Sequence, residues 1–124
     1  MAAFLTPAWI NELDAAARTL ALPTDLHLVV QQVVRDDDGE VAYVVEIADG
    51  HGRVRLGRVE HPDVSFTQDR PTAAAIAQGT LSAQAAFMDG RVQLGGDLRT
   101  VLAHASDLAT IGDAFATLRA ATTW

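Results

Sequence analysis

The chain has 124 residues, 49% of them apolar, a formal charge of −7 and no cysteine. That length suits one domain around a single hydrophobic core, and the missing thiols exclude disulfides, thiolate catalysis and cysteine-built metal sites. Every basic residue is Arg, and the arginines are interleaved with Val, Leu and Gly in an acidic chain, which excludes nucleic acid as a partner.

Thr6 followed by Pro7 marks a helix start, a hydroxyl cap and then a proline whose missing N–H costs nothing there. Trp9, Ile10, Leu13, Ala17 and Leu20 follow at helical spacing, and Pro23 is expected to end the element. The first twenty residues have no basic leader and no continuous apolar run, so no signal peptide is expected. No stretch reaches the roughly 18–20 apolar residues that span a bilayer, and the expected compartment is the cytoplasm.

Residues 26–35 and 41–48 are rich in Val, with Asp38-Gly39 between them as a hairpin signal. Asp49-Gly50 turns the chain into residues 53–59, completing an antiparallel meander. Val41, Tyr43, Val45 and Ile47 share one face and are the expected buried set. The other face carries the smaller Ala42, Val44, Glu46 and Ala48; Arg53, Arg55 and Arg58 are read as solvent-facing strand residues, with a small basic surface for an anionic head group as the alternative.

A fourth strand covers residues 64–67, with Val64 and Phe66 on one side. Asp69 or Arg70 then precedes Pro71, which opens a helix stopping at Gly79. Thr80 is the expected cap of the next helix, and Asp89-Gly90 its end. A fifth strand over residues 91–94 is followed by Gly95-Gly96 and an Asp97-capped helix with Leu98, Val101 and Leu102. Ser106 or Asp107 is expected to cap a last helix, where Leu108, Ile111, Phe115 and Leu118 fall on one face. The reading is a single α+β domain over residues 1–124.

Sites of chemistry are scarce. Placing Gly39 at the invariant glycine of an EF-hand loop puts Val34 and Val45 at the first and last ligand positions, so the acidic turn is no calcium loop. His27, His51, His61 and His104 show no metal-ligand spacing, and no GxSxG is present. Gly95-Gly96-Asp97 suits a turn and a cap better than a phosphate site, because the carboxylate opposes an anion. His104 with Asp107 forms either a local hydrogen bond or a dyad. No metal, no cofactor and no catalytic residue is expected. What remains is a dense apolar inventory over residues 62–102, and apolar ligand pockets are lined by the same residue types as cores.

The segment TLSAQAAFMDGRVQLGGDLRTVL resembles the signature of the sterol-carrier-protein-2 family of nonspecific lipid-transfer domains. The resemblance rests on Gly79, Leu81, Ser82, Ala86-Phe87-Met88, Gly90, Val92, Leu94 and Gly96-Asp97, preceded by a strand running from Val64 to Asp69. It implies a five-stranded, mostly antiparallel sheet with helices covering one face, and an apolar tunnel between them for fatty acids, acyl-CoA or sterols. Carried over, Phe66, Ile76, Phe87, Met88, Leu94, Leu98 and Leu102 are cavity residues, with Leu108, Ile111 and Phe115 outside the matching motif.

The chain ends in Thr122-Thr123-Trp124, not in a Ser-Lys-Leu address, and it has no Lys, so membrane contact is expected to be at most peripheral. Its heavy use of Ala and Arg is that of a GC-rich bacterial genome. The expected function is a soluble intracellular carrier without catalysis of its own. Two alternatives stand beside it. One is an enzyme or accessory subunit using the same cavity, for which His104, His27 and Glu46 are the residues of interest and a partner enzyme is implied. The other is a small homodimerisation module with a filled core.

Overall fold

A computed structural model describes residues 2–124, the side chains of residues 113–115 excepted. In chain order the elements are β1 (Ala2–Ala3), α1 (Pro7–Ala17), β2 (Leu28–Asp36), β3 (Gly39–Ala48), β4 (His51–Leu56), β5 (Val64–Asp69), α2 (Arg70–Gln78), α3 (Ala83–Met88), β6 (Val92–Gly96), α4 (Leu98–Ala103), α5 (Ala105–Leu118), a 3-10 turn at Arg119–Ala121, and β7 (Thr122–Thr123).

The main sheet runs β4-β3-β2-β5-β6. β2–β3, β3–β4 and β5–β6 pair antiparallel and β2–β5 parallel, so the sheet is mixed. The register sets Ile47 beside Leu28 and Gly52, and Val45 beside Val30 and Val54. These residues face α1, whose Trp9, Ile10, Leu13 and Ala17 are buried on them. Gly52 lets α1 lie close: a Cβ there would stand 3.2 Å from that of Ala17.

Thr6 Oγ1 accepts the Trp9 N–H as the cap of α1. The helix ends at Ala17, not at Pro23. The Thr19 hydroxyl donates to the Ala16 carbonyl at 2.7 Å, and the Thr19 and Leu20 N–H groups close tighter i→i+3 turns. The Leu22 N–H is then held by the Gly50 carbonyl at the β3–β4 turn.

Residues 57–63 carry the chain from β4 back across the sheet to β5. Along this strap the Gly57 N–H donates to the Ala42 carbonyl, the Val59 N–H to Gln31 Oε1 and the Asp63 N–H to the Val29 carbonyl. Gln31 lies opposite Val44, and the strap explains why Val44 is fully buried on the face expected to be the open one. Arg53, Arg55 and Arg58 are exposed as expected. Arg55 pairs with Glu46 at 3.0 Å and Arg58 with Glu40, so these two arginines are already partnered.

Asp69 caps α2, its carboxylate accepting the Thr72 N–H at 2.8 Å. A hydrogen bond from the Thr72 hydroxyl, then that N–H bond, and more weakly the nearby Arg91 charge, hold the Asp69 carboxyl below its ordinary range. A depressed value stabilises the fold above the unfolded-state pKa, and the gain disappears as pH falls through the folded value. Asp69→Ala is therefore expected to cost about 1 kcal/mol at neutral pH. In urea melts the gap to the parent should close as pH drops below about 3.9. A gap unchanged down to pH 2 contradicts this account.

At the other end of α2, Gly79 adopts φ +81°, the Thr80 N–H bonds the Ala75 carbonyl and the Gly79 N–H that of Ile76, a Schellman ending. Thr80 is thereby spent on α2, its hydroxyl also donating to Ala75, and it is Ser82 that caps α3, accepting the Ala85 N–H at 3.0 Å. The last helix also differs from expectation. His104 ends α4 and directly precedes α5, so Ser106 and Asp107 lie inside the first turn rather than at a cap. Asp97 caps α4 as expected.

A second, two-stranded parallel pairing joins β1 to β7, which the sequence did not signal. It is anchored by the Trp9 Nε1–H, which donates to Thr122 Oγ1 at 3.2 Å, and by Trp124 packed on Phe4.

Candidate ligand-binding site

The inner face of the sheet is buried under α1 at its β3–β4 side, and Leu28, Val30 and Val34 on the central strand are buried too, but one row across the sheet is covered less completely. The register places Tyr43, Gln32, Phe66 and Leu94 in one row across β3, β2, β5 and β6. Tyr43 is buried against Trp9, which pushes its hydroxyl pKa up by desolvation. The other three are only half-buried. For Gln32 this decides the geometry. Its strand is paired on both edges and its side chain shares the α1-facing side with Val30 and Val34, so access comes only through the helix layer. Gln32, Phe66 and Leu94 are thus inner-face positions that the helices cover only in part.

Small side chains account for part of this incomplete cover. The inward residues of α2 are Thr72, Ala73 and Ala77, which bring the helix to the sheet while filling little volume. Phe66, Ala74 and Leu108 are half-buried against the core, and Ile111 is fully inside it. Arg119, just beyond α5, donates from Nε to the Ala77 carbonyl at 2.7 Å and ties the end of α5 to α2.

The ten apolar positions expected at a cavity thus separate into groups. Phe66, Ile76, Leu94 and Leu108 are half-buried on β5, α2, β6 and α5, and Ile111 belongs to the core. Phe87, Met88, Leu98 and Leu102 are exposed, Met88 at 77% and Leu102 at 67%. These four sit on α3 and α4, the short helices before and after β6, of which only Ala86 is buried. Phe115 lies outside the described side chains. The sequence reading missed Gln32 and Gln68, which join through Gln68 Nε2–H to Gln32 Oε1 at 2.8 Å. The signal was available: Gln32 stands at an inward position between Val30 and Val34.

Two surface clefts lie away from this row. One of about 570 Å³ is bordered by Arg35, Asp36, Asp37, Asp69, Arg70, Pro71 and Ala74, a rim of alternating charge unsuited to an apolar ligand. The other, about 230 Å³, is bordered by Pro23, Asp25, Leu26, His104 and Asp107. His104 Nδ1 stands 3.6 Å from Asp107, so those two do meet. Glu46 lies on the outer sheet face with Arg55, and His27 is exposed. Among the described residues no group of His, Asp and Glu is arranged to hold a metal, and no helix is long and apolar enough to cross a membrane.

Solved structures share this fold. A conserved hypothetical protein from Thermus thermophilus, a candidate sterol carrier protein, is 20% identical with a TM-score of 0.73, covering 98% of this chain and 91% of that one. A crystal structure of sterol carrier protein 2 gives 18% identity and a TM-score of 0.70 over 94% and 97% of the two chains. Sterol carrier protein 2 like 2 from Aedes aegypti gives 24% and 0.61 over 78% and 92%. The fold also recurs inside a sec-alkyl sulfatase, where 90% of this chain matches 16% of the larger one at 23% identity and a TM-score of 0.58. No curated protein matches the sequence. The SCP-2 sterol transfer family model matches residues 10–108, from within α1 through the whole main sheet to the start of α5, and the chain belongs to that family.

Proposed function

We propose that this protein is a cytoplasmic carrier of an apolar small molecule, of the fatty-acid, acyl-CoA or sterol class, held over the inner row of the sheet. Residues 1–124 act as one lipid-binding unit without catalysis of their own. The observation that carries this reading is the half-buried row Gln32, Phe66 and Leu94, which runs from the central strand to the β6 edge on a sheet face that helices cover. The exposed apolar side chains of α3 and α4 border the same strand, β6, and supply further contact surface. Each methylene removed from water contributes about 0.8 kcal/mol, so a chain of about ten carbons gains roughly 8 kcal/mol before the entropic cost of association. Selectivity between neighbouring chain lengths is loose on such a surface.

Displacement of a fluorescent fatty acid, together with native mass spectrometry of the freshly purified protein, tests the proposal. Co-purified lipid and micromolar displacement are expected; an empty protein that binds no probe contradicts it. The sulfatase likeness favours a second reading, an accessory unit of an enzyme acting on an apolar metabolite. It predicts that bound ligand is consumed when the partner enzyme is added, whereas a carrier returns it unchanged.

A further inference from the structure

We infer that the Gln32–Gln68 amide pair is a polar recognition site on the partly covered inner face, selecting apolar ligands that carry an uncharged hydroxyl group. The inference rests on the proposed ligand site and names the chemistry it selects. Gln68 lies beside Val34 and Val92 on the inner face, and Gln32 beside Phe66, so both amides stand within an otherwise apolar surface. Gln68 Nε2 donates to Gln32 Oε1. Neither the Gln32 amino group nor the Gln68 carbonyl oxygen makes a hydrogen bond to another described residue. Neither atom is sealed from solvent either, since the single unpartnered, fully enclosed side-chain oxygen among the described residues is Glu12 Oε2. Reversing both amides exchanges the two roles and still leaves one amino group and one carbonyl oxygen outside the pair's own hydrogen bond.

A group that both accepts and donates a single hydrogen bond satisfies both, and a hydroxyl is the smallest that does. No charged side chain shares this row, so an ionised head group would be desolvated there without a counter-ion. Two ordinary sources carry the right chemistry, the hydroxyl of a sterol and that of a fatty alcohol.

The test compares each alcohol with its own methyl ether, which keeps the apolar body and the acceptor but loses the donor. Hexadecanol against 1-methoxyhexadecane, and cholesterol against its methyl ether, compete for a bound fluorescent fatty acid. The parent protein should bind the alcohol of at least one pair about fivefold tighter, one hydrogen bond's worth. Whichever pair discriminates identifies the source. Gln68→Met, which removes the acceptor for the hydroxyl proton, should bring the affinities of the alcohol and its ether to parity. If that variant melts well below the parent, Gln32→Met interrogates the same pair from its other strand. Equal binding of alcohol and ether by the parent, or a preference that survives both variants, overturns the inference. Failure of every competitor to displace the probe, or of the probe to bind, overturns the ligand site and this inference with it; ether binding without discrimination overturns the amide site alone.

Discussion

Trp9→Ala is expected to reduce the unfolding free energy by about 3–5 kcal/mol. Trp9 is 1% exposed and stands at the junction of three elements. Its ring meets Phe4 edge-on at 4.9 Å and Tyr43 at 6.1 Å, and its N–H reaches Thr122. Truncation removes an indole from the α1–sheet core and frees the Thr122 hydroxyl, which also donates to the Leu118 carbonyl at the end of α5. One side chain therefore joins the core to the β1–β7 pairing and to the last helix. Domains of this size have about 5–15 kcal/mol in total, so the variant should be marginal at 37 °C. Urea melts followed by circular dichroism measure this; a loss under about 1 kcal/mol contradicts the assigned role.

Leu94→Asp is expected to weaken binding of a fluorescent fatty acid by at least roughly thirtyfold. β6 is an edge strand, where a charged residue is tolerated by the fold. Leu94 lies directly opposite Phe66 on the half-buried row. A carboxylate there either stays hydrated and excludes the chain or loses its water when the chain enters, a cost of about 2 kcal/mol or more. Arg99→Ala, on an exposed side chain paired only with the adjacent cap Asp97, serves as a control that should leave affinity unchanged. Unchanged binding by a folded Leu94→Asp protein places the ligand elsewhere.

The order of the main elements was legible because their punctuation is local. Thr6-Pro7, Asp38-Gly39, Asp49-Gly50, Asp69 before Pro71 and Asp97 each act through the chain's own neighbouring backbone. Where two local solutions competed, the sequence pointed to the wrong one. Thr80 and Ser82 are both plausible caps, and only the Schellman closure of α2 assigns Thr80 away from α3. Contacts distant in sequence were not legible: the parallel pairing of β2 with β5, the strap over Val44 and the joining of β1 to β7.

The candidate site was half legible. Phe66 and Leu94 stand out as inward apolar residues on strands, but periodicity cannot say that they stop short of full burial. Phe87, Met88, Leu98 and Leu102 read like core, yet on the six-residue helices α3 and α4 they are exposed and only Ala86 is turned inward. The two glutamines were passed over because a polar residue in a strand reads as solvent-facing until the register assigns its side.

Backbone and Gln side-chain amide NMR spectra recorded during titration with a fatty alcohol test the central claim most directly. The ligand should move the signals of residues 30–34, 64–68 and 92–94 together, with the Gln32 and Gln68 side-chain amides among the largest shifts. No shift at saturating alcohol, or shifts centred on the charged cleft at Arg35, Asp69 and Ala74, would contradict a ligand held over the centre of the sheet.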